Sequence, residues 1–168
     1  MILPKNFSHE LLNDSKQLSK QQRDQLRPII EKNAISYGVG FIDNFMIDEV
    51  NILQATFLAM HQAISKLKKI PTLLLVDGNR FKPYETIKHK TIIKGDETYM
   101  EIAAASILAK TYRDEFMQLL HHEFPHYNWE QNKGYGTDEH REAIKQYGNC
   151  KYHRMSFQLL KEEMEELI

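Results

Sequence analysis

Leu73-Leu74-Leu75-Val76-Asp77-Gly78 sets four consecutive apolar residues against a turn dipeptide. A run of this kind reads as a strand buried on both faces and stopped by a turn, and such strands pair in parallel inside α/β sheets. Downstream, Thr91-Ile92-Ile93 predicts a second, shorter strand ending at Lys94-Gly95-Asp96. A long helix is predicted from Met100 to His122, with Ala103-Ala104-Ala105-Ser106 small enough to let it approach the sheet closely. Pro125 ends that helix, Lys133-Gly134-Tyr135-Gly136-Thr137 forms a glycine-punctuated loop, and Thr137 caps a helix from Asp138 to Tyr147. Upstream, Leu53, Phe57, Met60, Ile64 and Leu67 recur at helical spacing, which predicts a helix from about Asp48 to Leu67 with this stripe in the core. Ile35, Tyr37, Val39 and Phe41 alternate with smaller residues and predict a strand with one buried face. Ser19 caps a first helix running to about Lys32, and the acidic tail Lys161–Ile168 reads as a solvated terminal helix. The order is α/β: a mixed sheet with helices around it.

The 168 residues, 42% of them apolar, suffice for one compact domain and not comfortably for two, so a single domain over 1–168 is expected. Twenty-two basic and twenty-three acidic residues leave a formal charge of −1, which excludes a global basic field and confines any nucleic-acid site to a local patch. Cys150 is the one cysteine, so no internal disulfide framework exists and a reducing compartment is expected. No apolar run approaches the roughly 20 residues of a membrane span, and Met1-Ile2-Leu3-Pro4 lacks the features of a signal peptide. The expectation is a cytoplasmic chain with no membrane partner.

Two carboxylates stand at strand ends, Asp77 and Asp96, where the loops of an α/β sheet gather ligands. Oxygen donors there suit Mg²⁺ or Mn²⁺, and a pair of such ions serves phosphodiester hydrolysis. Asp-Gly by itself reads more readily as a structural turn than as a site. His121, His122 and His126 do not make a zinc site, because Pro125 breaks the register that would align them and no thiol is near. Asp114, beside Arg113, reads as an ion pair or solvated charge, and Tyr127 and Trp129 read as core before stacking platforms.

Five blocks then carry a more specific message. They are Leu12-Asn13-Asp14-Ser15-Lys16-Gln17-Leu18-Ser19; Ile47-Asp48-Glu49-Val50-Asn51-Ile52-Leu53-Gln54-Ala55-Thr56; Val76-Asp77-Gly78-Asn79-Arg80; Lys94-Gly95-Asp96 with Ala103 to Asp114; and Lys133 to Thr137 with His153-Arg154-Met155-Ser156-Phe157. In order and spacing they resemble the bacterial ribonuclease HII family, from Ile2 to about Leu160. The resemblance implies an RNase H-like mixed sheet flanked by helices, with a helical C-terminal extension. It also implies a metal-dependent endonuclease acting on the RNA strand of RNA–DNA hybrids and on ribonucleotides embedded in duplex DNA, monomeric when complete. Asp77 and Asp96 would be two of four metal-site carboxylates. Tyr135 would read the ribose carrying the 2′-OH, the group that marks RNA, while Ser15, Lys16 and Lys133 would contact the substrate. His153 and Arg154 belong to the closing motif, as packing or as a phosphate contact.

The family's other two carboxylates lie in an Asp-Glu-x-Gly-Arg-Gly segment on its first strand, and the sequence contains no such segment. Met1-Ile2-Leu3-Pro4 resembles the end of the family's second strand, so the first strand is expected to be missing and the chain to be inactive and poorly stable. Two rival classes remain. In one, a non-catalytic module keeps Lys16, Lys133 and Arg154 for binding a duplex; in the other, an unrelated α/β domain binds a small molecule near Asp77.

Overall fold

Ser19 starts the first helix, α1 (Lys20–Asn33), as the sequence indicates: its hydroxyl accepts the Gln22 N–H while the Gln22 side chain accepts the Ser19 N–H, a reciprocal capping box. The computed structural model describes residues 1–14 and 18–160, so Ser15, Lys16 and the tail Lys161–Ile168 lie outside the described residues. The elements that follow are α2 (Asn44–Val50), α3 (Ile52–Ser65), β1 (Leu73–Asp77), β2 (Lys88–Ile92), α4 (Met100–Glu123), α5 (Trp129–Asn132) and α6 (Asp138–Tyr147), with short 3-10 turns at Glu10–Asp14, Gly95–Glu97 and Pro125–Tyr127. Among the described residues, no helix is long and apolar enough to cross a membrane.

The chain divides into two compact units, one made of Met1–Ile42 and Thr56–Tyr112, the other of Asp43–Ala55 and Arg113–Ile168. In the first, Leu26 and Ile30 of α1 share a buried cluster with Leu3, Leu12, Leu18, Ala103, Ala104, Ile107 and Leu108. The small residues of α4 thus belong to a core built with α1, not to a close approach to the sheet. In the second unit, Met117, Leu120, Tyr127, Trp129, Ala143 and Ile144 form the core, which places both aromatic residues where packing predicts them.

The sheet is a parallel pair, Leu73 opposite Lys88 through Asp77 opposite Ile92. β1 alternates in burial: Leu74 and Val76 are buried while Leu73 is exposed, so one face is covered and not both. The connection, residues 78–87, is short for a parallel crossover, which ordinarily takes a dozen or more. It is anchored by Phe81 and Tyr84, set edge-on against His61 at 5.6 and 5.0 Å, and by the His61 ring against the Lys82 carbonyl at 2.8 Å.

Residues 35–41 do not form the predicted strand. Their one bridge is antiparallel, Ile2 to Ser36. Two backbone groups beyond it find side-chain partners in and just after α3, where Lys66 Nζ donates to the Val39 carbonyl and the Phe41 N–H donates to Gln62 Oε1, while the Ser36 hydroxyl in turn accepts the Lys68 N–H. Alternation specifies a pleated face, yet a strand also needs a neighbour, and here side chains serve instead. Glycine permits this approach: a Cβ on Gly40 would stand 1.9 Å from the Ala59 carbonyl oxygen, and one on Gly38 2.4 Å from that of Ala63.

The predicted long helix is likewise divided. Asn51, at φ 70°, closes α2 and opens α3, its side-chain oxygen accepting the Leu53 and Gln54 N–H groups at 3.0 and 3.2 Å. The stripe from Leu53 to Leu67 is half-buried, with Leu53 39% exposed, rather than core. Gly40→Ala is expected to lower stability by about 1–3 kcal/mol through this overpacking, read as a lower urea midpoint; an unchanged midpoint would mean that the segment does not lie on α3.

Candidate functional site

Asp77 is the last residue of β1, and Asp96 lies in the 3-10 turn after β2. The Gly78 N–H carries the ladder one step beyond Asp77, to the Ile92 carbonyl at 2.9 Å. The chain then turns through Lys94, at φ 55°, and Gly95 presents its N–H to Asp77 Oδ1 at 2.8 Å. Gly95 packs close under Ile102: a Cβ there would stand 2.5 Å from Ile102 Cδ1, the end of a side chain that would have to turn aside. Asp96 follows at once and is 9% exposed, while Asp77 is open to solvent. The parallel register and one hydrogen bond therefore bring the two predicted carboxylate segments together.

Both donors are hard oxygen ligands, and Mg²⁺ is commonly held by one or two carboxylates plus water and substrate phosphate. Asp77 and Asp96 thus share the oxygen-donor chemistry that a divalent cation takes. Among the described residues, no group of three or more His, Cys, Asp or Glu is gathered for a metal, so the pair falls short of a donor set for two ions.

Tyr135 and Lys133 sit in the second unit. Lys133 and Gly134 are both left-handed, at φ 52° and 78°, which reverses the chain after α5. Asn132, buried, fixes that reversal by accepting the Gly134 N–H at 2.9 Å and donating to the Tyr127 carbonyl at 2.7 Å. Arg113 donates to the Lys133 carbonyl at 2.8 Å, and its guanidinium carbon lies 5.9 Å from the centre of the Tyr135 ring. Tyr135 is 68% exposed at the tip, a large aromatic ring in water on a tightly held backbone.

The closing motif resolves into two roles. His153 is buried: the Cys150 N–H donates to its Nδ1 at 3.0 Å, and its Nε2 meets His140 Nε2 at 3.3 Å. Arg154 instead lays its guanidinium over the Phe157 ring at 3.8 Å, and burial together with the nearby Arg113 charge holds its pKa below the ordinary value. His153 is packing; Arg154 is a cation beside another cation.

Sequence reading missed what holds this motif in place. Asp48 accepts the Met155 N–H at 2.7 Å, the Ser156 N–H at 3.0 Å and the Ser156 hydroxyl, and these bonds hold its pKa below the usual aspartate value. One turn earlier on α2, Asn44 donates to the carbonyls of Lys151 and His153 at 2.9 and 3.1 Å. The i, i+4 pairing of Asn44 and Asp48 was the available signal, since it places two polar side chains on one helical face.

The family described as Ribonuclease HII matches residues 4–160. The chain belongs to the ribonuclease HII family. Ribonuclease HII of Bacteroides fragilis is 58% identical over 167 residues, covering 99% of this chain and 83% of that protein. Ribonuclease HII of Christiangramia forsetii is 58% identical over 164 residues, covering 98% and 83%. Among solved structures, the crystal structure of the ribonuclease H2 from Pyrococcus horikoshii OT3 superposes with a TM-score of 0.72 at 25% identity, covering 88% of this chain and 77% of that one. Ribonuclease HII proteins are metal-dependent endoribonucleases, and the α/β fold with its small parallel sheet agrees with that membership.

The buried histidines give this ribonuclease HII chain a pH-dependent stability. Burial, with His140 adding to it, pushes the His153 pKa from 6.5 down to about 4, and His140 is lowered as well. The unfolded chain therefore binds these protons at a higher pH than the folded one. Their contribution is fully present above about 6.5 and is lost as pH falls towards 4, on the order of 2–3 kcal/mol for His153. The urea midpoint is expected to fall between pH 7 and pH 4.5, and to fall less in His153→Gln; equal slopes in both proteins would refute the assignment.

Proposed function

We propose that the ribonuclease site to which these 168 residues contribute hydrolyses phosphodiester bonds at ribonucleotides, in the RNA strand of RNA–DNA hybrids and in duplex DNA containing single ribonucleotides, the 168 residues by themselves being inactive. The observation that supports the reading is the hydrogen bond from the Gly95 N–H to Asp77, which ties the turn carrying Asp96 to the end of β1. Family membership supports the ribonuclease chemistry. We read the two units as parts of one domain, supported by a family match that runs through both.

In this reading Asp77 and Asp96 hold Mg²⁺ or Mn²⁺. A pair of such ions, when bound, supplies an activated water and neutralises charge on the phosphodiester. Asp77 keeps its orientation through Gly95, so its carboxylate is aimed before any ligand arrives. Tyr135 offers its exposed ring to the ribose bearing the 2′-OH. Lys133, Ser15 and Lys16 would contact substrate phosphates, the last two from outside the described residues. The 168 residues carry no Asp-Glu-x-Gly-Arg-Gly segment, so the donor set for two ions is incomplete in this chain and turnover by it alone is not expected.

A second reading, binding of a duplex without cleavage, draws on the grouping of Arg113, Arg154 and Tyr135: the Arg113 charge adds to burial in lowering the Arg154 pKa, and the Arg113 guanidinium lies 5.9 Å from the Tyr135 ring. It predicts association that weakens steeply with salt and produces no cut strand.

A labelled DNA duplex with one ribonucleotide, supplied with Mg²⁺ or Mn²⁺, separates these readings. The chain is compared with a version carrying an added Asp-Glu-x-Gly-Arg-Gly strand, both shown folded. Cleavage is expected only from the longer protein, and Asp77→Asn or Asp96→Asn in it should reduce the rate by more than about 100-fold, since even outer partners of a metal site cost 10–100-fold. A comparable rate from the 168-residue chain would overturn the carboxylate assignment, and no cleavage by either would overturn the substrate.

A further inference from the structure

Four buried or half-buried groups of the second unit are joined by hydrogen bonds whose direction can be worked out from donor chemistry. The Cys150 N–H can only donate, so His153 Nδ1, 3.0 Å away, is an acceptor and the His153 proton sits on Nε2. Trp129 Nε1 can also only donate, and it meets His140 Nε2 at 3.1 Å. His153 Nε2 reaches the same His140 nitrogen at 3.3 Å. His140 Nε2 is therefore the acceptor, its one lone pair shared between the two donors, and the His140 proton is on Nδ1. That nitrogen lies 2.9 Å from the Tyr135 carbonyl oxygen, which can only accept. Every group has a consistent role, and both imidazoles are neutral in fixed tautomers.

The consequence reaches the exposed ring. The Tyr135 carbonyl takes one bond from the Thr137 N–H at 2.8 Å and the other from His140, while the Tyr135 N–H donates to the Asn132 carbonyl at 2.8 Å. His140 is buried against Tyr127 and Trp129 and held from behind by His153. The loop that carries His153 is itself held by Asn44 and Asp48. A rigid core thus ends in a single N–H aimed at the backbone of the residue with the open aromatic face.

We propose that His140 is a positioning residue for Tyr135, its Nδ1–H fixing the tyrosine backbone so that the ring meets a ribose in one orientation. This deepens the reading of Tyr135 given above and rests on it. His140 does not touch substrate; it acts through the tyrosine, and the closing motif supports it through His153.

Two substitutions separate the two nitrogens of the ring. In His140→Asn the carboxamide N–H stands near the Nδ1 position and preserves the bond to Tyr135. In His140→Gln the carboxamide reaches the Nε2 position and leaves the Tyr135 carbonyl without that donor. Both variants lose part of the buried network and should melt at a lower temperature. The readout is the affinity ratio between a fluorescein-labelled DNA duplex containing one ribonucleotide and the same duplex in all-DNA form, by anisotropy. The ratio is expected to be kept in His140→Asn and to fall by about five- to tenfold in His140→Gln, the worth of roughly one hydrogen bond. Equal ratios in the two variants overturn the proposal, because a purely structural role would follow the melting temperature alone. Tyr135→Ala is the control. If it leaves the ratio unchanged, the reading of Tyr135 as the ribose contact fails, and positioning is then decided by the Tyr135 ring resonances of ¹³C-labelled protein. A shift in His140→Gln with none in His140→Asn sustains it, and identical spectra overturn it.

Discussion

Every backbone N–H and C=O removed from water needs a partner, and this chain has little sheet with which to provide one. Two parallel strands satisfy their own ladder and little else. Elsewhere the task passes to polar side chains projecting from helices and strand ends. Gln62, Lys66 and Ser36 serve Phe41, Val39 and Lys68, Asp77 serves Gly95, Asn44 serves Lys151 and His153, Asp48 serves Met155 and Ser156, and Asn132 and His140 serve the loop around Tyr135. Loops built this way are fixed point by point, which is the condition for a functional residue on a loop to hold its geometry.

The same device explains why the two candidate regions differ in character. At Asp77 a carboxylate that could take a cation also acts as a backbone acceptor, so its orientation is set by the fold before any ligand arrives. At Tyr135 the open and the supporting atoms are separate: the ring is exposed, and the carbonyl behind it is tied to a buried imidazole. Preorganisation in the first case constrains one residue twice; in the second it divides the labour between side chain and backbone.

What could be read from the sequence follows the range of the interactions involved. The caps at Ser19 and Thr137, the stop at Asp77-Gly78 and the end of α4 before Pro125 are local, and the structure reproduces them. That the segments carrying Asp77 and Asp96 are neighbours was legible because strand ends of a parallel sheet converge. The strand expected over residues 35–41 was not realised, since alternation describes one face and says nothing about a neighbour. The break at Asn51 was missed because hydrophobic spacing continues on its far side, although an asparagine able to cap the next turn was visible. Asp48, Asn44 and His140 could not be assigned roles: Asp48 meets its partners 107 and 108 residues away, and His140 differs from any other helical histidine only through what packs on it. The resemblance to ribonuclease HII supplied Tyr135 and the closing motif, which physical reading alone would have left as an exposed aromatic and a basic turn.

The stacked pair of Tyr127 and Trp129 carries one more consequence. The sequence holds a single indole, and it lies in the core of the second unit, its rings 5.0 Å from those of Tyr127 and its N–H committed to His140. Indole emission from this chain is therefore an optical signal of the second unit only. The unit that carries Asp77 and Asp96 contains no tryptophan, so its melting is silent at that wavelength and visible through backbone dichroism. Following both signals through one denaturation separates the cooperativity of the two halves without a label, a tag or a mutation.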